Sequence, residues 1–87
     1  MRKVRKGGAT PIAVTWDRVR RVPRSFLWRG RRYRVDDVLA RWVVDTGWWN
    51  PAIRTSRRYV RVAAEGRVFD LCYDRLRKSW FLVRALN

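Results

Sequence analysis

Two kinds of side chain in this sequence could do chemistry: guanidinium groups in clusters, and indole rings placed among them. Arg29, Arg31, Arg32 and Arg34 fall within one short stretch, Arg57, Arg58 and Arg61 within another, and Arg18, Arg20, Arg21 and Arg24 crowd a third. A guanidinium pairs bidentately with phosphate and stacks on flat rings. On a strand, Arg32 and Arg34 share one face while Tyr33 and Val35 take the other. If these groups converge they form a cationic strip along which phosphates lie, each displaced counterion adding salt-dependent affinity. The candidate binding residues are Arg24, Arg29, Arg31, Arg32, Arg34, Arg57, Arg58 and Arg61. Trp48 and Trp49 join them. Of two neighbours on an extended backbone only one faces the core, so the other is a platform for a base or an anchor at a protein interface. The alternative is that both pack beneath a loop.

Catalysis finds little to work with. The chain has no His, the commonest general base and metal ligand. Cys72 has neither a His partner nor a second Cys, so a thiol triad and a zinc site are both excluded; it reads as a small packing residue. Asp36 and Asp37 are adjacent, which sends them to opposite faces of a strand, and they read as a turn or cap. Gly7-Gly8 lacks the following Lys-Ser/Thr of a phosphate cradle. The expectation is a non-enzymatic protein without cofactor or metal.

Charge sets the class of partner. Over 87 residues the net charge is +15, and nineteen of the 22 basic residues are Arg. Self-repulsion at that density opposes compaction unless an anion is bound. Nucleic acid is the first expectation, ahead of an anionic membrane or an acidic protein. No apolar stretch approaches the ~20 residues that span a bilayer, and Gly7-Gly8 stands where a signal peptide would place its apolar run. A lone cysteine fits a reducing compartment. A cytoplasmic protein, free or associated with the nucleoid, is expected.

Something must position these groups. Residues 1–34, 35–53 and 54–87 carry +11, −2 and +6, so two basic segments flank a nearly neutral aromatic one. Residues 1–10 read as a disordered basic arm and residues 11–87 as one small domain. Ile12–Trp16 alternates as a strand. Pro23 excludes a central strand through its own position, making Asp17–Pro23 a loop or edge. Phe26 and Trp28 precede Arg29-Gly30, and Tyr33 and Val35 follow, a hairpin signal. Asp36–Val44 is ambiguous: Val38, Leu39, Trp42 and Val43 have helical spacing, yet their types suit a bent, continuing strand. Gly47–Ser56 is a loop. Tyr59–Ala64, a turn at Glu65-Gly66, Arg67–Tyr73, a turn at Asp74–Ser79 and Trp80–Leu86 complete the chain. The fold expected is all-β with room for one short helix: six strands in a strongly curved antiparallel sheet or a small SH3-like barrel, closure removing exposed edges. Trp16, Trp28, Trp42 and Trp80 are assigned to its core, since aromatics let a short chain bury enough area.

The run Pro23–Val35 with its Trp28-Arg29-Gly30, then Val38-Leu39, Arg41-Trp42, Gly47-Trp48-Trp49, Arg58–Val62, Gly66 and Trp80-Phe81-Leu82, resembles a family of small, functionally uncharacterised bacterial proteins rich in Trp and Arg. The pattern is similar to the C-terminal region of the catalytically inactive Y-family polymerase homologue of the bacterial mutasome. The likeness covers about residues 11–84. It implies a setting in DNA replication or repair, specifically damage tolerance and translesion synthesis, and carries no catalytic residues over. This chain departs from the pattern in its higher charge and in Val43-Val44, where a more polar pair is usual, implying a greasier interface. The leading expectation is therefore a nucleic-acid-binding accessory domain, with DNA ahead of RNA. Two alternatives stand beside it: an adaptor docking on a DNA polymerase or clamp through the Trp48/Trp49 loop, and a ribosome- or RNA-binding small β-barrel.

Overall fold

β-Branched and aromatic residues in alternation with Arg form strands here because one face can be buried while the guanidiniums stay in water. The computed structural model describes residues 9–47, 49–50 and 52–86. It is all-β among those residues: β1 (Thr10–Asp17), β2 (Val22–Trp28), β3 (Arg31–Thr46), β4 (Thr55–Ala64), β5 (Arg67–Asp74) and β6 (Ser79–Leu86). Each strand pairs antiparallel with the next, and β1 pairs with β6 through Thr10–Ile12, closing a six-stranded barrel. Of the expected basic arm, residues 1–8 lie outside the described residues, and Thr10 already opens β1.

The barrel has two unlike ends. At the hairpin end, Arg29-Gly30 joins β2 to β3 and Glu65-Gly66 joins β4 to β5, with φ of 54° and 74°, and of 51° and 80°. Positive φ at both central residues matches the twist of the strands being joined. At the loop end lie the connections 18–21, 47–54 and 75–78.

The core fills the hairpin half. Phe26, Val62, Phe69 and Leu71 are fully buried. Phe69 meets Phe26 edge-on at 5.0 Å between centroids and Tyr33 at 5.1 Å, while Phe26 stacks on Tyr33 at 5.3 Å. Trp28 packs on the same group. Three guanidiniums cap this cluster from outside: Arg29 over Trp28 at 4.6 Å, Arg31 over Tyr33 at 5.0 Å and Arg67 over Phe69 at 5.2 Å.

β3 explains the ambiguity over Asp36–Val44. It is a strand throughout, but its pairing with β4 slips at Asp36 and again at Leu39. Each slip is a bulge, two residues opposing one. The residues facing inward are therefore Val35, Val38, Arg41 and Val43, while Leu39 and Trp42, which complete the helical spacing with Val38 and Val43 in the sequence, are exposed. β3 pairs with β2 only as far as Arg34, and from Val35 to Thr46 it pairs with β4 alone. β2 and β3 thus part toward the loop end. Pro23 sits where they part, with a ladder on its β1 side only, so its missing N–H costs nothing there.

Two of the four tryptophans assigned to the core do not belong to it. Trp16 is 46% exposed and Trp42 is 38% exposed. Trp16 stands two residues beyond Val14 toward the loop end, past the last buried layer and opposite the β2 bulge at Arg24, and Trp42 lies on the outer face of the β3–β4 ribbon, stacked on Tyr59 with parallel rings 5.3 Å apart. Trp28 and Trp80 do pack against the core. Cys72 is buried, and burial pushes its thiol pKa up, as an inert packing residue requires.

The acidic pair holds the backbone. Asp36 accepts from the Glu65 N–H at 2.9 Å, and Asp37 from the Val38 N–H. Glu65 in turn accepts from the Arg34 N–H at 3.1 Å and from the Arg31 side chain at 2.8 Å. The Arg34 N–H first, then the Arg31 side chain, hold its carboxyl below the usual carboxylate range. Asp17 is lowered too, chiefly by the Arg20 N–H. A carboxyl depressed in the folded state contributes stability above its unfolded pKa, roughly 4.3 for Glu, and loses it as pH falls through the folded value. Melting temperature is expected to hold from pH 7 to about pH 4.5 and decline below it. Glu65→Gln should shrink that decline while lowering the neutral-pH melt.

Gly47 closes β3 at φ 68°, and a Cβ there would stand 2.5 Å from the Ile53 carbonyl oxygen. Neither the conformation nor the space suits alanine. Gly47→Ala is expected to cost about 2 kcal/mol, read as a lower melting temperature.

A candidate nucleic-acid interface at the loop end

The loop end is built from a device the chain uses twice. Asp17-Arg18-Val19-Arg20-Arg21 and Asp74-Arg75-Leu76-Arg77-Lys78 share one pattern and one structure. In the first, Asp17 Oδ1 accepts from the N–H groups of Val19 and Arg20, and the Arg21 N–H closes on the Asp17 carbonyl at 2.8 Å. In the second, Asp74 Oδ1 accepts from Leu76 and Arg77, and the Lys78 N–H closes on the Asp74 carbonyl at 2.7 Å. Arg21 and Lys78 both take positive φ, 61° and 55°. An aspartate that turns the chain through its own side chain fixes three basic residues in the turn that follows it. The loops 18–21, 47–54 and 75–78 contain Arg18, Arg20, Arg21, Arg54, Arg75, Arg77 and Lys78 and no acid.

Between these loops the barrel opens. Register places Val43, Arg58, Tyr73, Trp80 and Ile12 in one row across β3, β4, β5, β6 and β1, and paired residues share a face. Trp80 meets Tyr73 at 5.2 Å and Trp16 at 6.0 Å. Where β2 and β3 part, Arg21 and Pro23 form one wall and Arg41 and Val43 the other. The result is an open cleft of about 630 Å³ floored by Trp16, Tyr73, Trp80 and Val60, bordered by Arg21, Arg41 and Arg58, and lined by no carboxylate among the described residues.

The candidates read from the sequence divide between the two ends. Arg29, Arg31, Arg32 and Arg34 lie at the hairpin half, and the first three are engaged internally: Arg29 and Arg31 on rings, Arg31 on Glu65, Arg32 on the Ser25 hydroxyl at 3.2 Å. Arg34 is exposed beside Glu65. Arg61 is held bidentately by buried Asp70, at 2.7 and 3.0 Å, and Arg57 stands 3.7 Å from Asp74. Arg24 occupies the β2 bulge near Asp17. Arg58 alone of the eight lines the cleft. The guanidiniums therefore do not form one strip, because the hairpin group and Arg57–Arg58 occupy opposite ends of the barrel, with Arg61 between them and held by Asp70. Trp49 is 65% exposed on the β3–β4 loop, and Trp48 lies outside the described residues.

Arg41, Trp16, Tyr73 and Trp80 are absent from the sequence candidates, and Arg21 stands there only as a member of the third arginine cluster. The repeated Asp-Arg-apolar-Arg-basic pentapeptide was a legible signal for the loops. Trp16 and Trp80, one residue before the first pentapeptide and two after the second, could have been placed beside them on that basis. Among the described residues, Arg21, Arg41 and Arg58 make no ion pair, cation–π contact or side-chain hydrogen bond within the protein. No three His, Cys, Asp or Glu side chains among those residues group so as to hold a metal ion.

Residues 8–87 match the model of a domain of unknown function, DUF6504. The chain belongs to the DUF6504 family. The match takes in all six strands, both pentapeptide loops and the cleft between them, so the site is part of the DUF6504 domain itself. Among curated proteins and solved structures, none matches the chain.

Proposed function

We propose that this DUF6504 chain is a non-enzymatic accessory domain that binds nucleic acid at the loop end of its barrel. The observation carrying the reading is the cleft itself: three guanidiniums without a carboxylate partner stand around exposed aromatic rings. Guanidiniums with no internal acceptor are hydrated ions awaiting an anion, and phosphate is the anion whose geometry they fit. The arginines of the hairpin end, laid on rings and paired with Glu65, close the core there. DNA replication or repair is the setting proposed, on the likeness to the mutasome polymerase homologue, and the resemblance supports it without naming a partner. Few donors or acceptors in the cleft could read base edges, so sequence preference should be weak.

Affinity for a labelled oligonucleotide, measured by fluorescence anisotropy, is expected to fall about 100-fold between 50 and 200 mM salt, as roughly five phosphate contacts to a single strand require. An affinity flat in salt would contradict the proposal.

A second reading has its own observation. The β3–β4 loop exposes Trp49 and Ile53, at 65% and 55%, apolar side chains suited to docking on a polymerase or clamp. It expects Trp49→Ala to abolish capture of such a partner and leave nucleic-acid affinity unchanged.

A further inference from the structure

The two pentapeptide loops and the Trp16–Trp80 contact belong to one arrangement. Trp16 immediately precedes the first loop and Trp80 closely follows the second. Their rings meet at 6.0 Å across the seam between β1 and β6. Each loop therefore springs from one partner of the tryptophan pair, and the pair sits between two basic turns of identical construction. Arg41 and Arg58 face the same rings from the β3–β4 side.

Resting on the nucleic-acid reading, we propose that the ligand is single-stranded: an unpaired strand lies across the Trp16–Trp80 pair, bases against the rings and phosphates on the loops Asp17–Arg21 and Asp74–Lys78. The selectivity follows from the aromatic floor. Phosphates are available on a duplex and a single strand alike, so arginines alone would not tell them apart. A base within a duplex has both faces covered by its stacked neighbours, whereas an unpaired base offers a face to an indole. Trp16, 46% exposed, keeps ring surface open for such a base. Tyr73 and Trp80, half-buried behind it, hold the platform rigid, so little ordering is lost on binding. The duplicated loop also sets a geometry, with phosphates gripped on either side of the stacked bases.

The test compares a 12-nucleotide single strand with a blunt duplex of the same length by anisotropy, at two salt concentrations, with the wild-type protein and with Trp16→Leu and Trp16→Phe. The single strand is expected to bind the wild type at least tenfold more tightly than the duplex, with quenching of tryptophan fluorescence. Trp16→Phe should keep most of that ratio, and Trp16→Leu, which retains bulk but no ring, should reduce it to about threefold or less. Should Trp16→Leu fail to fold, as circular dichroism would show, the wild-type ratio and the quenching decide. Equal, steeply salt-dependent binding of both ligands would overturn the single-strand inference and leave the nucleic-acid reading standing. Binding of neither would overturn both.

Discussion

Reversing Arg41 and Arg58 together, to Glu, is expected to weaken oligonucleotide binding about 100-fold or more at low salt. A hydrogen bond to a charged partner contributes about 1.5–3 kcal/mol, and two lost contacts remove about 3 kcal/mol at the least. Two carboxylates placed where phosphates lie add repulsion. The fold should be untouched, since both side chains are exposed and neither has an internal partner. A control is essential, because any double reversal changes net charge by four and so weakens long-range attraction. Arg32→Glu with Arg84→Glu makes the same change on exposed positions of the hairpin half, and its effect is expected to stay within about fivefold once salt is above the range of surface screening. The slope of log affinity against log salt should also fall for the first pair by roughly 1.4, the share of two phosphate contacts on a single strand.

The second large effect is on stability. Phe69→Ala is expected to cost about 3–5 kcal/mol, because Phe69 is fully buried and its ring meets Phe26, Tyr33 and Trp28. A domain of this size has about 4–13 kcal/mol in total. The melting temperature should drop by about 12 °C or more, given about 4–8 °C per kcal/mol, and where the loss reaches the lower end of that stability range the variant would be largely unfolded at ambient temperature. Trp16→Leu, at a half-exposed position, should cost only about 1 kcal/mol. The contrast divides the aromatic residues by duty: those of the hairpin half hold the barrel together, and those of the loop end are the ones proposed to meet a ligand.

Much of the architecture was legible because it rests on local rules. The Arg29-Gly30 and Glu65-Gly66 turns, the alternation of Phe26 and Trp28 against Tyr33 and Val35, and the closing strands all follow from turn chemistry and period two. The site was less legible. Clustering in sequence suggested that Arg29 to Arg34 act with Arg57 to Arg61, yet the sixteen-residue β3, which begins at Arg31, runs from the hairpin end to the loop end and so separates the first group from Arg57 and Arg58. Trp16 and Trp42 read as core residues because their type is usually buried. Trp16 keeps the face of Ile12 and Val14 but lies beyond the last buried layer, and bulges at Asp36 and Leu39 change which face the later residues of β3 present; a bulge leaves no firm mark in a single sequence. The pairing of Arg31 with Glu65 and Arg61 with Asp70 was equally hidden, since both pairs join residues brought together only by strand register.

The proposed contact with nucleic acid lies at the loop-end cleft and not at the hairpin end. At 10.5 kDa the chain suits residue-by-residue NMR, including the six tryptophan indole N–H signals. On titration with a single-stranded oligonucleotide, the shifts of the Trp16 and Trp80 indoles and of the backbone at Arg21, Arg41, Arg58 and Tyr73 are expected to move most, with the Arg29–Arg34 amides nearly still. Largest movements at Arg29–Arg34, or a spectrum unchanged at saturating oligonucleotide, would contradict it.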